Sequence, residues 1–138
     1  MSALDDQIIR DLQQIVGQKP EFFLFVLETR GFRMPMIFLA LMLLRYRKFC
    51  TLAYAKNRFY LLALNPWSNE AFTQEGMGSF EVSEIEEAKL SHLGRLYLFR
   101  IALKDGREMV FMPMESIPGK KPQSYKEAIE KMRKALNV

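Results

Sequence analysis

Apolar residues keep helical spacing near both ends of the chain. Ile8, Leu12, Ile15 and Val16 share one face over residues 5–16. Asp5 and Asp6 suit the positive N-terminal end of that helix, and Gly17 suits its stop. In SYKEAIEKMRKALNV, Tyr125, Ile129, Met132 and Leu136 form a stripe with Ala128 and Ala135 beside it. Ser124 is placed to cap this helix, with Glu127 three residues on to complete a capping box. Between the two helices the period shortens. FCTLAYA and RFYLLAL are apolar-aromatic runs separated by Lys56-Asn57, a hairpin signal. RLYLFRIAL and REMVFMPM flank Asp105-Gly106, read as a two-residue turn. Residues 70–73, the run SFEV and residues 86–92 supply further strands, with Gly76 and Gly78 read as breaks. About seven short strands followed by one helix predict an α+β fold, an antiparallel sheet whose apolar face a helix must cover.

Two runs do not declare their period. PEFFLFVLET, residues 20–29, fits a helix entered at Pro20 or a strand, and proline at a first turn favours the helix. MPMIFLALMLL, residues 34–44, reads as the body of a helix over 35–47 that ends in Arg45, Arg47 and Lys48. Eleven helical residues reach roughly 16 Å, against roughly 30 Å of hydrocarbon in a bilayer, so this run does not span one alone. It is apolar on every side and needs cover. Residues 5–16 and 22–27, a second copy of the chain or lipid are the candidates. Met36, Phe38, Leu39, Met42 and Leu43 are accordingly the predicted interaction surface, and a homo-oligomer is expected.

The stretch from Phe49 onward resembles the bacterial pleckstrin-homology-like domains. AYAKNRFYLLAL is similar to their opening hairpin. SFEVSEIEEAKL is similar to the segment where a polar strand enters a short Ile-centred stretch. LYLFRIALKDGREMVFMPM with the terminal helix is similar to their final hairpin and cap. The resemblance implies a pleckstrin-like barrel: two bent antiparallel sheets packed roughly orthogonally, with the last helix plugging an open corner. It places a domain at residues 49–138 behind an N-terminal helical extension at residues 1–48. It also implies a binding or scaffolding module that is not an enzyme.

Composition and charge narrow the chemistry. The chain has 138 residues, 49% apolar and 26% charged, a globular composition of single-domain size. The net charge of +4 hides a basic block over residues 45–66, with five cations and no acid. An acidic block over residues 67–94 carries six acids and one cation. Arg45, Arg47, Lys48, Lys56 and Arg58 are the candidate anion- or lipid-binding residues. Lys48, Lys56 and Arg58, followed by Tyr60 and Leu61, resemble the pattern with which some pleckstrin domains hold inositol phosphates. Cations near an anionic membrane are worth about 1 kcal/mol each, so a peripheral membrane role is the alternative to protein binding. The cations do not form a continuous basic stripe, and no nucleic-acid partner is expected.

One His and one Cys, 42 residues apart, match no metal-ligand spacing, so neither a metal nor another cofactor is expected. Cys50 lies in an apolar strand as an expected buried thiol, and His92 is an expected surface residue. Glu84, Glu86 and Glu87 are read as a solvated edge or turn. No phosphate loop, dinucleotide fingerprint or nucleophile elbow occurs, and no catalytic residue is assigned. Asp5, Asp6 and Asp11 stand where a secretory leader needs basic and apolar residues. A cytoplasmic location, membrane-peripheral at most, is expected.

Overall fold

A computed structural model describes residues 3–32, 48–63, 73–93, 96–116 and 121–138. Helix α1 spans Ala3–Val16 and is followed by seven strands: β1 Phe22–Phe32, β2 Lys48–Ala55, β3 Arg58–Ala63, β4 Thr73–Glu81, β5 Ile85–Leu93, β6 Leu96–Leu103 and β7 Arg107–Met114. A 3-10 turn, Val82–Glu84, links β4 to β5, and helix α2 spans Tyr125–Leu136. All strand pairs are antiparallel, in the order β4-β3-β2-β1-β7-β6-β5. The chain is thus α+β: an open seven-stranded antiparallel sheet with one helix from each end of the sequence.

The sheet is not flat. β4 and β5 are its opposite edges, which in a flat seven-stranded sheet stand about 29 Å apart. Yet only residues 82–84 join Glu81 to Ile85. Four Cα steps reach about 15 Å at most, so the sheet curls until its edges approach. The linking turn fastens this corner. Val82 N donates to Asn57 O at 2.9 Å, and Lys104 N donates to Glu84 O at 2.9 Å. One bond reaches the β2–β3 hairpin and the other the β6–β7 hairpin.

The curl creates two packed faces. Inside lie Phe22, Leu24 and Val26 of β1, Leu52 and Tyr54 of β2, Phe59 of β3, Phe80 of β4, Phe99 and Ile101 of β6, and Phe111 of β7. Ala128, Ile129, Met132 and Leu136 of α2 close over them. On the outer face Ile8 and Leu12 of α1 cover Phe23, Phe25, Ala53, Ala55, Tyr60 and Leu62. The stripes read on residues 5–16 and 125–136 are therefore the packing faces of the two helices. Gly17, at φ +84°, ends α1, and its amide donates to Gln13 O at 2.9 Å.

Four expectations are corrected. Residues 22–32 are a strand, not a helix, and sit at the centre of the sheet between β2 and β7. A strand buried on both faces shows a continuous apolar run instead of alternation. The boundary between residues 48 and 49 consequently has strands of one sheet on both sides. Thr73 and the SFEV run do not belong to separate strands: β4 runs unbroken from Thr73 to Glu81 through both glycines, and residues 70–72 lie outside the described residues. Its pairing with β3 shifts register between Leu61 and Ala63, the kind of irregularity that interior glycines accommodate. The β6–β7 connection has three residues, with Gly106 at φ +94° and its amide bonded to Leu103 O at 3.0 Å. Finally, Ser124 makes no side-chain cap to its own helix. Its hydroxyl donates to Asp5 Oδ1 at 3.3 Å, and Gln123 N donates to Asp5 Oδ2 at 3.2 Å. The fully buried Asp5 of α1 thus places its negative charge at the start of α2.

The Lys56-Asn57 turn is as predicted. Both residues have positive φ, 49° and 63°, which gives the type I′ geometry that matches strand twist. The helix expected over 35–47 lies outside the described residues.

Candidate binding groove

Where α1 leaves the sheet and α2 crosses it, an open groove of about 800 Å³ runs between them. That volume falls within the range of ligand sites. Its walls are Ile9 of α1, Lys19, Pro20 and Glu21 of the connection, and the Glu127–Ala135 face of α2. Its floor is Phe22, Phe23 and Tyr54 with Ala128.

Several contacts hold the floor together. Glu21 N donates to Tyr54 O at 2.7 Å, extending the β1–β2 pairing beyond Phe22. The Phe22 and Tyr54 rings stack with centroids 5.2 Å apart. Tyr54 Oη donates to Asn57 Oδ1 at 3.0 Å. Burial raises the Tyr54 pKa, the nearby Glu21 carboxylate raises it further, and a hydrogen bond with the Asn57 backbone opposes both. Tyr54 is therefore a neutral donor at physiological pH. Glu21 also holds two neighbours: its Oε2 accepts Lys56 N at 3.1 Å, and its carbonyl accepts Lys131 Nζ at 3.3 Å. Lys131 pairs with Glu127 at 3.0 Å, one helical turn away.

The predicted basic block is only partly gathered here. Arg45 and Arg47 lie outside the described residues, as do Met36, Phe38, Leu39, Met42 and Leu43. Lys48 starts β2, in register with Glu28. Lys56 occupies the exposed β2–β3 turn next to Glu21. Arg58 is turned toward β4, bonded to Glu81 at 2.5 Å and to Ser79 Oγ at 3.1 Å. That cross-strand ion pair leaves it less available to an external anion.

The residues weighed for other chemistry are set apart. Cys50 is buried on the inner face and donates its thiol proton to Glu28 Oε2 at 3.0 Å. Glu28, 1% exposed, is a core acid that its apolar surroundings in the sequence conceal. His92 is exposed at the β5 edge against Tyr97, ring centroids 4.8 Å apart. Glu84 bonds the Glu81 amide at 2.8 Å, and Glu86 and Glu87 are exposed on β5. Among the described residues no group of three potential ligands could hold a metal ion, and no helix is long and apolar enough to cross a membrane.

Sequence reasoning missed the groove. Its walls come from residues 9, 19–23, 54 and 127–135, which no local pattern connects. The available signal was the pair Lys131 and Lys134 on the solvent side of α2, legible as a basic face but not as a wall. Comparison with protein-family models finds no match to this chain, and comparison with curated proteins finds none either.

Proposed function

We propose that this chain is a pleckstrin-homology-like interaction module that works by binding protein, self-association included, and not by catalysis. The order β4-β3-β2-β1-β7-β6-β5, the curl forced by residues 82–84 and the terminal helix over the inner face support that fold reading. They suit two bent sheets with a plugged corner. In this reading β1 is the first strand of the barrel, and residues 49–138 are completed by a segment N-terminal to them.

The observation that carries the functional part is the groove. It is open, floored by aromatic rings and flanked by a helix and a strand end. Such surfaces accept side chains of a partner at a rigid framework. The test is photo-cross-linking in cells, with p-benzoylphenylalanine at Ile9 in the groove and at Lys104 in the β6–β7 turn, which does not line the groove. Discrete protein adducts from Ile9 and not from Lys104 are expected, with a band at twice the chain mass for self-association. No adducts from Ile9, or the same adducts from both positions, would overturn the proposal.

A further inference from the structure

The walls of the groove carry three lysines, Lys19, Lys131 and Lys134, against two glutamates, Glu21 and Glu127, for a net charge of +1. Lys131 is matched internally by Glu127. Lys19 and Lys134 are exposed and have no carboxylate partner among the described residues. Glu21 is held by the Lys56 amide, and the Lys56 side chain adds a further cation at the adjoining turn. Ile9 and Ala135 line the same groove, half-exposed, together with the buried Phe22, Phe23 and Ala128. Apolar residues and two unengaged ammonium groups in one groove complement an apolar side chain accompanied by carboxylates. A basic segment would bring like charge to a positive rim. A purely apolar one would lay greasy surface over two hydrated cations.

We propose that the groove takes a short acidic peptide segment of a partner protein. An apolar side chain of that segment seats against Ile9 and Ala135, and its carboxylates meet Lys19 and Lys134. This deepens the binding reading above and rests on it.

The test uses the ¹⁵N-labelled full chain and three probes. These are the peptide Glu-Asp-Leu-Phe-Asp-Glu, the same peptide with lysine at every acidic position, and vesicles of phosphatidylserine and phosphatidylcholine. The acidic peptide is expected to shift amides over residues 19–23 and 127–135, with affinity that falls as salt rises. Combining Lys19→Glu with Lys134→Glu is expected to weaken it about tenfold, since each reversal replaces an exposed attraction by a repulsion. Lys104→Glu is expected to leave it unchanged. The proposal is overturned if the lysine peptide binds as tightly, if the shifts fall elsewhere, or if the double substitution changes nothing. It is overturned equally if vesicles shift the groove amides and the acidic peptide does not. Ile9 cross-links without a preference for the acidic peptide would retain the general binding reading and sink this one. Absence of Ile9 cross-links sinks the general reading whatever the peptides do.

Discussion

The two faces of the sheet are covered by helices of similar amphipathic design, yet they are built differently. The inner face is thick with rings: Phe22, Tyr54, Phe59 and Phe80 run in contact across four strands, and α2 closes over them. The outer face beneath α1 includes Ala53 and Ala55, small residues that let the helix lie close to the strands. The inner core buries residues of six strands and one helix, with Ile85, Ala88 and Leu90 of the seventh strand, β5, packed against it, so removing one member disturbs many neighbours. The outer core beneath α1 draws its buried residues from α1 and β1–β3, with only Met114 of β7 packed against it, so damage there can stay local. Stability is a property of how many elements share a cluster, and a helix can be well packed without being central.

The most direct way to break this contrast is to truncate one side chain on each face. Phe59→Ala, at a position with no exposure, is expected to cost about 3–5 kcal/mol in denaturant unfolding. Protection from hydrogen exchange should fall throughout the sheet. Leu12→Ala on α1 is expected to cost about 2–4 kcal/mol, with exchange accelerated in α1 and little changed in β6 and β7. Equal loss of protection on both faces in the two variants would erase the distinction.

Asp5 is the point where the faces communicate, because it belongs to α1 and bonds the start of α2. Asp5→Ala is expected to cost about 1–2 kcal/mol, since the Gln123 amide and Ser124 hydroxyl lose their acceptor. Exchange at the first turn of α2 should quicken along with that of α1. If only α1 responds, the tie between the helices has no energetic content.

Smaller effects sharpen the comparison by lying outside both cores. Lys56 holds φ 49°, a left-handed conformation that disfavours a side chain. Lys56→Gly is expected to raise stability by about 0.5–1 kcal/mol after the entropic cost of glycine, read as a higher denaturation midpoint. Asp105 is held below the usual carboxylate range, chiefly by the Arg107 amide and also by the Arg107 guanidinium. A lowered folded-state value stabilises the β6–β7 turn above the unfolded value of about 3.9, and that contribution is lost as pH falls through the folded value. Asp105→Asn should remove this acid-side dependence and slightly lower the denaturation midpoint at neutral pH, where the ionised carboxylate contributes.

Legibility followed the number of faces each segment buries and the turn signals beside it. β6 buries Phe99, Ile101 and Leu103 on one face and Leu98 and Ala102 on the other, yet partly exposed Arg100 and the adjoining Asp105-Gly106 turn signal let the strand be read directly. The same holds for both helices, each buried along one stripe. β1 buries Phe22, Leu24 and Val26 on one side and Phe23 and Phe25 on the other, so its period vanished and a helix fitted as well. The glycines of β4 looked like breaks because a local reading cannot see a neighbouring strand that shifts register around them. Ser124 had the residue type of a cap and a suitable spacing to Glu127, but a carboxylate more than a hundred positions away took its hydroxyl. Of the predicted basic site, Lys56 and Arg58 were correctly placed at a hairpin turn. The engagement of Arg58 by Glu81 required a third strand.

The sequence by itself determined the α+β class, the two amphipathic helices, both hairpins and the burial of Cys50. Each of these depends on periodicity, turn chemistry or side-chain polarity within a few neighbours. Only the tertiary structure decided that β1 is the central strand, that the sheet curls onto a three-residue link, and that Lys19, Lys134 and Tyr54 border one groove. Those features depend on which segments pair across long separations, and pairing is settled by the combined burial of all seven strands, which no single window of the chain contains.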